Sequence, residues 1–201
     1  MASPIVIIVK AFIEVEEVIL IRSDINAIIS DIASGNMESF GELYDTLSER
    51  VFNYARTITG NKEMAEDITH DVFLQVYKHA ERIGKMSNPV SYIMVSVRNH
   101  SYNMLKREKR VADLQDDTAD NVYSISSVHD RILFEDAFNS LPIKQREVVY
   151  LHLICGYKHK DVAAIQNEPL VTVKWRYGQA LKKLKEYFTQ NDKEEKCDEY
   201  I

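Results

Sequence analysis

The sequence predicts an all-α protein of two small helical domains joined by a flexible acidic linker, and three observations carry that reading. Apolar residues recur at three- and four-residue spacing both upstream and downstream of a central segment. That segment, "VADLQDDTADNVYSISSVHD" from Val111 to Asp130, holds five Asp, no Lys or Arg, and no helical periodicity. Apart from the apolar N-terminal run, no strand pattern is present. The expected division is an extension over 1–22, a helical domain over 23–110, a linker over 111–130, a second helical domain over 131–188 and an acidic tail over 189–201.

The bulk numbers agree. A chain of 201 residues, 45% hydrophobic and 28% charged, can bury one substantial core or two small ones and reads as soluble and globular. Disordered and collagen-like classes drop out. The two cysteines, Cys155 and Cys197, lie far apart and form neither a CxxC pair nor a disulfide framework, which points to a reduced, cytoplasmic protein. His152, Cys155 and His159 cluster loosely, but their spacing fits no common zinc pattern and no second ligand pair follows. No metal and no cofactor are expected. The N-terminal "IVIIVKAFIEVEEVILI" is interrupted by Lys10, Glu14, Glu16 and Glu17 and lacks a basic leader and a cleavage site. It is expected neither to span a membrane nor to direct secretion, and to be either a peripheral extension or the product of a start codon placed too far upstream.

Upstream of the linker, "MESFGELYDTLSERVFNYARTITG", "KEMAEDITHDVFLQVYKHAERI" and "NPVSYIMVSVRNHSYNMLKREKR" predict three amphipathic helices that make a bundle. In the second, Ala65, Ile68, Val72, Val76 and Ala80 form the buried stripe. Asp67, His70, Asp71, Leu74 and Lys78 then lie on the opposite side. The third begins with Asn88 able to cap and Pro89 at the first helical position. At one hundred degrees per residue, Val90, Ile93, Met94, Val97, Ser101, Met104 and Leu105 share the core face. The other face gathers Tyr92, Ser96, Asn99, Tyr102, Asn103, Lys106, Arg107 and Arg110, with Val95 the one aliphatic intruder and no acid. Cations to neutralise a backbone, rings to stack on unpaired bases and amides to bond base edges are what single-stranded nucleic acid requires.

Downstream, "LPIKQREVVYLHLICGYKHKDVAAIQNEPLVTVKWRYGQALKKLKEYF" reads as a helix, a short helix, a tight turn and a long helix, which is helix-turn-helix order. Ala163 and Ile165 lie on the short helix, Asn167 can take the left-handed conformation of the turn, and Pro169 sits near the next helix start. On the last helix Val173, Tyr177, Ala180, Leu184 and Tyr187 should pack inward. Thr172, Trp175, Gln179 and Lys182 then point out, flanked by Lys174, Arg176 and Lys183. "TVKWRYGQALKKLK", Thr172 to Lys185, carries five basic residues and no acid in a chain of net charge -6. Such a helix suits the major groove, where outward side chains read base edges while flanking cations grip phosphates. A Gly-rich phosphate loop, a nucleophile elbow and a paired-carboxylate site are all lacking, so an enzyme is not expected. A helical adaptor that binds protein is the remaining class.

From about Asp24 to Phe188 the chain resembles the extracytoplasmic-function (ECF) class of bacterial RNA polymerase sigma factors. "AEDITHDVF" at Ala65 to Phe73 is similar to that family's AED-L-T-Q-E-V-F signature in region 2.2. Arg98 and Asn99 fall where its region 2.3 has the same pair, and "LP…QREV" followed by "NEPLVTVKWR" resembles region 4. The resemblance implies a non-catalytic specificity subunit whose first domain binds core polymerase and the melted minus-ten element and whose second reads the minus-thirty-five duplex. It further implies that Asp67, His70, Asp71 and Leu74 contact the clamp helices of the largest polymerase subunit. The loop "GKMSN", Gly84 to Asn88, would help hold a flipped base, and Asn99 would lie along the melted strand. Expected partners are bacterial core RNA polymerase, promoter DNA as duplex and melted strand, and an anti-sigma factor, with no membrane.

The chain departs from the family pattern at several of these positions. His70 stands for the usual Gln, Tyr92 for Trp, Asn103 for Asp and Gln179 for Arg. Gln166, Glu168 and Val171 occupy turn positions where Leu, Ile and Gly are typical, which predicts a turn less well packed than in relatives. Trp175 replaces a small polar residue, where an indole either touches thymine methyls or obstructs the usual approach. The alternative is a sigma-like helix-turn-helix regulator that does not engage core polymerase.

Overall fold

A computed structural model describes the backbone of residues 17–112 and 136–198, and the side chains within 25–110 and 136–190. All regular structure among them is helical. They fall into two compact units, one comprising 17–112 with the short stretch 163–167, the other 136–162 and 168–198. The expected linker lies almost wholly outside the described residues.

In the first unit α1 (Glu17–Ala33), α2 (Met37–Thr59), α3 (Lys62–Lys78), α4 (Ala80–Gly84) and α5 (Pro89–Ala112) follow one another with short connections. Local chemistry sets the boundaries. Gly35 at φ 93° turns the chain after α1, and Asn36 Oδ1 accepts from the Glu38 and Ser39 N–H groups at 3.0 and 3.4 Å to start α2. Gly60 at φ 71° ends α2 in the left-handed conformation, and Asn61 Oδ1 accepts from Met64 N–H at 2.9 Å to open α3. Asn88 Oδ1 accepts from Ser91 N–H at 3.1 Å, so the expected cap of α5 is formed.

Two boundaries differ from the sequence reading. The single helix expected over 62–83 is broken at His79, whose φ of -119° leaves the helical region. α1 also begins at Glu17, inside the segment read as an extension, because a run rich in Ile and Val carries no helical signal of its own. The core then closes around Ile25, Ile29, Leu43, Leu47, Val51, Tyr54, Ile68, Val72, Ile83, Ile93, Met94 and Val97, all buried. Each such aliphatic contributes about 1.5–3 kcal/mol of burial.

In the second unit a helical turn at 136–139 precedes α6 (Ile143–Val149), which runs into a π-helical turn at Tyr150–Ile154. Cys155 N–H donates to Tyr150 O at 2.9 Å across that wider turn, and Gly156 at φ 70° closes it. Next along the chain come α7 (His159–Gln166), whose residues from 163 on group with the first unit, and α8 (Leu170–Asp198) in the second. Asn167 adopts φ 52°, the left-handed conformation expected of it. α8 continues past Phe188 into the segment read as an acidic tail. Ala137, Leu141, Val149, Ala180, Leu184 and Phe188 make the core, with Tyr177 and Tyr187 half-buried against it. None of the described helices is long and apolar enough to cross a membrane.

Candidate polymerase and nucleic-acid interfaces

The first surface is the outer face of α3. Ala65, Ile68, Val72 and Val76 are buried as expected, together with Phe73 and with Thr69, whose hydroxyl donates to Ala65 O at 2.7 Å. That orientation leaves Asp67, His70, Asp71 and Leu74 exposed at i, i+3, i+4 and i+7, one continuous strip. Leu74, at its C-terminal end, is 49% exposed. Among the described residues, no ion pair neutralises Asp67 or Asp71. Sequence reasoning missed the apolar flank of the strip. Tyr77, three residues beyond Leu74, is exposed, and its ring meets Phe40 edge-on at 5.4 Å, with exposed Met37 at the start of the same helix α2. The signal was present as the 74/77 spacing.

The second surface is the polar face of α5. Val90, Ile93, Met94, Val97 and Ser101 are buried, and Met104 and Leu105 are half-buried, so the helix is rotated as its periodicity predicts. Asn99, Asn103, Lys106, Arg107 and Arg110 are exposed, and Tyr92, Ser96 and Tyr102 are half-buried beside them. The rings are held. Arg82, from α4, donates to the Tyr92 hydroxyl at 2.8 Å, and its guanidinium lies 5.8 Å from that ring's centre. Arg98 sits over the Tyr102 ring at 4.7 Å. His100 Nδ1 donates to Ser96 O at 2.8 Å, which leaves Nε2 of the neutral ring to accept from Gln75 at 3.0 Å and ties α5 to α3. The loop from Gly84 to Asn88 precedes this face, with Lys85 paired to Glu81 at 2.7 Å.

The third surface is the outer face of α8. Val173, Ala180 and Leu184 are buried, while Lys174, Trp175, Lys182 and Lys183 are exposed and Thr172 and Gln179 half-buried. Trp175 is 61% exposed. Arg176 behaves differently from the flanking cation it was expected to be. Its side chain is 14% exposed and donates to Glu168 Oε1 at 3.0 Å, which also accepts from Lys144 at 3.3 Å. These hydrogen bonds, from Arg176 first and then Lys144, hold the Glu168 carboxyl below the ordinary carboxylate range. Glu168 thus replaces apolar packing at the turn with an ionic tie between α6 and α8.

The histidines and cysteine that suggested a metal have packing roles. His152 donates through Nδ1 to Tyr157 O at 2.7 Å, its ring lies 3.8 Å from that of His159, and both meet Tyr177 edge-on. Cys155 is buried. Burial first, then the neighbouring His152 and Lys174, lowers the His159 pKa below its usual value. Among the described residues, no group of three or more His, Cys, Asp or Glu is placed to hold a metal.

Comparison with known proteins identifies the family. The Sigma-70 region 2 family matches residues 43–111, and the Sigma-70 region 4 family matches 131–184. The first match contains α3 and most of α5, and the second contains the turn and about half of α8. An ECF RNA polymerase sigma factor, SigK of Mycobacterium sp. (strain JLS), is 22% identical over 175 residues, covering 82% of this chain and 91% of the relative. SigL of Mycobacterium tuberculosis (strain ATCC 25618 / H37Rv) is 25% identical over 167 residues, covering 78% and 93%. Among solved structures, the sigma factor RpoE from Bartonella quintana, crystallised with the anti-sigma factor NepR, superposes with a TM-score of 0.68 at 22% identity, covering 76% of this chain and 98% of that one. CnrH, solved with the cytosolic domain of CnrY, gives 0.59 at 20% identity, covering 82% and 97%. With both regions matched in order over more than half of its length, the chain belongs to the extracytoplasmic-function class of RNA polymerase sigma factors.

Proposed function

We propose that this sigma factor divides its work among three surfaces: α3 docks on core RNA polymerase, α5 holds the melted minus-ten strand, and α8 reads the minus-thirty-five duplex. Family membership carries the general statement, that the chain binds core polymerase and directs promoter-specific initiation. The assignment to surfaces rests on one observation above all. The acidic and apolar strip of α3 and the acid-free cationic face of α5 belong to the same small unit yet differ fully in charge. A protein surface with a basic patch suits the first, and a polyanion suits the second.

Placement supports the following residue roles. Asp67, His70, Asp71 and Leu74 contact polymerase, with Tyr77 extending the apolar part. Tyr92 and Asn99 engage unpaired bases, Asn103 lies beside them, and Lys106, Arg107 and Arg110 neutralise the strand. On α8, Lys174, Lys182 and Lys183 grip phosphates while Thr172, Trp175 and Gln179 face the base edges. Arg176 serves chiefly to hold the turn through Glu168. The protein catalyses nothing itself and acts in the cytoplasm, where polymerase is. An anti-sigma factor is a further expected partner, since RpoE was solved in complex with the anti-sigma factor NepR. A sigma-like regulator that ignores polymerase is not favoured, because the region 2 match spans the whole of α3.

Run-off transcription with purified core polymerase on a promoter library tests the reading. The protein should confer selective initiation, and core enzyme that stays promoter-blind in its presence would sink it. Asp71→Lys should abolish co-purification with polymerase while leaving the thermal transition of the chain unchanged. Unaltered co-purification would show that another face docks.

A further inference from the structure

The outward line of α8 carries an apolar pair that a generally cationic groove-binding helix does not require. Val171 is 79% exposed and Trp175 61%, and their four-residue separation stacks them on one face. Leu170, at the helix start, is also exposed. Large apolar side chains standing together in solvent are a mark of a contact surface. Lys174 and Lys182 flank the pair, and no Asp or Glu occurs between Leu170 and Lys185. Gly178, three residues beyond Trp175, adds no side chain to this face, and a Cβ built there would meet nothing within 4 Å.

This surface is apolar in the middle and cationic at its borders. A duplex major groove presents the complement: phosphates along both edges and, on its floor, one kind of apolar group, the thymine C5-methyl. We infer that Val171 and Trp175 read thymine methyls in the minus-thirty-five duplex, with Gly178 giving the groove wall room beside the indole. The inference rests on the sigma reading and deepens it, because it states what kind of sequence α8 prefers. The pair is separated by about 6 Å along the helix, so the two thymines lie within about two base-pair steps of about 3.4 Å each. Thr172 and Gln179, half-buried on one flank, supply hydrogen bonds to neighbouring edges and not the thymine preference.

The test removes the methyl and nothing else. Each thymine of the minus-thirty-five element in the best promoter from the library is replaced singly by deoxyuridine, and binding by the holoenzyme is measured. Two positions should each lose about fourfold in affinity, the worth of one buried methyl. Trp175→Ala should erase the sensitivity at one of them, Val171→Ala at the other, and Gly178→Leu should weaken both. Full binding to every deoxyuridine promoter overturns the inference, as does equal methyl sensitivity in the wild type and the Trp175 variant. The wild-type arm involves no substitution, so a variant that fails to fold does not blunt it. Holoenzyme that selects promoters but ignores methyls refutes this inference alone, whereas holoenzyme with no promoter selectivity refutes the sigma reading beneath it. Methyl indifference combined with loss of a bound protein partner in the Trp175 variant would reassign the patch to protein contact.

Discussion

The cationic faces of α5 and α8 look alike in sequence and differ in how far their charges are already engaged. On α5, Lys106, Arg107 and Arg110 stand exposed with no ion pair among the described residues. On α8, Arg176 is drawn onto Glu168 at 3.0 Å, and Lys182 lies 3.9 Å from Glu186. Counting basic residues therefore overstates the unengaged positive charge of α8 and describes that of α5 fairly. The rings differ too. Tyr92 is anchored by Arg82, whereas the Trp175 indole is mostly exposed.

The strongest way to break this comparison is to remove the free cations. Replacing Lys106, Arg107 and Arg110 together by Ala should abolish open-complex formation at physiological salt and lower the salt slope for single-stranded promoter DNA by about two units. An unchanged slope would mean that α5 does not meet the strand. Tyr92→Ala should come next, reducing open complexes by the equivalent of about 1–3 kcal/mol, the worth of one base stacked on an aromatic ring. Arg82→Ala should reproduce part of that loss if orientation of the ring matters.

A subtler effect separates two neighbours on α8. Lys174→Ala should reduce the salt slope for duplex binding by about one unit. Arg176→Ala should leave that slope nearly unchanged and instead destabilise the second unit by about 1 kcal/mol, at the upper end for a partly exposed ion pair. Glu168→Gln should destabilise similarly, and thermal unfolding beside salt titration distinguishes the pair. If Arg176→Ala flattens the slope as Lys174→Ala does, the guanidinium leaves Glu168 for phosphate.

The smallest effect concerns pH. The folded state holds the His159 pKa below the ordinary value of about 6.5. Between the two values the unfolded chain binds more protons, so this contribution to stability is present above the ordinary histidine range and fades as pH falls through the folded value. The thermal midpoint of the intact chain should decline with acidification over that window, and His159→Gln should decline less. Equal profiles would remove the histidine stack as the cause.

Much of this was legible in the sequence, and what was hidden has a common physical origin. The faces of α3 and α5 follow from periodicity, because a helix repeats its own geometry and Ala65, Ile68, Val72 and Val76 can fill only one side. Asn88 and Asn167 were legible because caps and left-handed turns draw on few residue types. The break at His79 was hidden, since neither Gly nor Pro marks it. So was the engagement of Arg176, because its partner lies eight residues back across a turn and not at helical spacing. Val171 read as a turn residue, and only the fold shows it standing in solvent on the line of Trp175.

The division of labour between α5 and α8 is tested most directly by permanganate footprinting of promoter thymines beside filter binding of holoenzyme to closed duplex at several salt concentrations. Asn99→Ala should bind the duplex nearly as well as wild type and fail to expose minus-ten thymines. Lys174→Ala should bind the duplex weakly at low salt, with the deficit shrinking as salt rises, yet melt normally whatever it binds. The same defect in both assays for both variants would contradict the account.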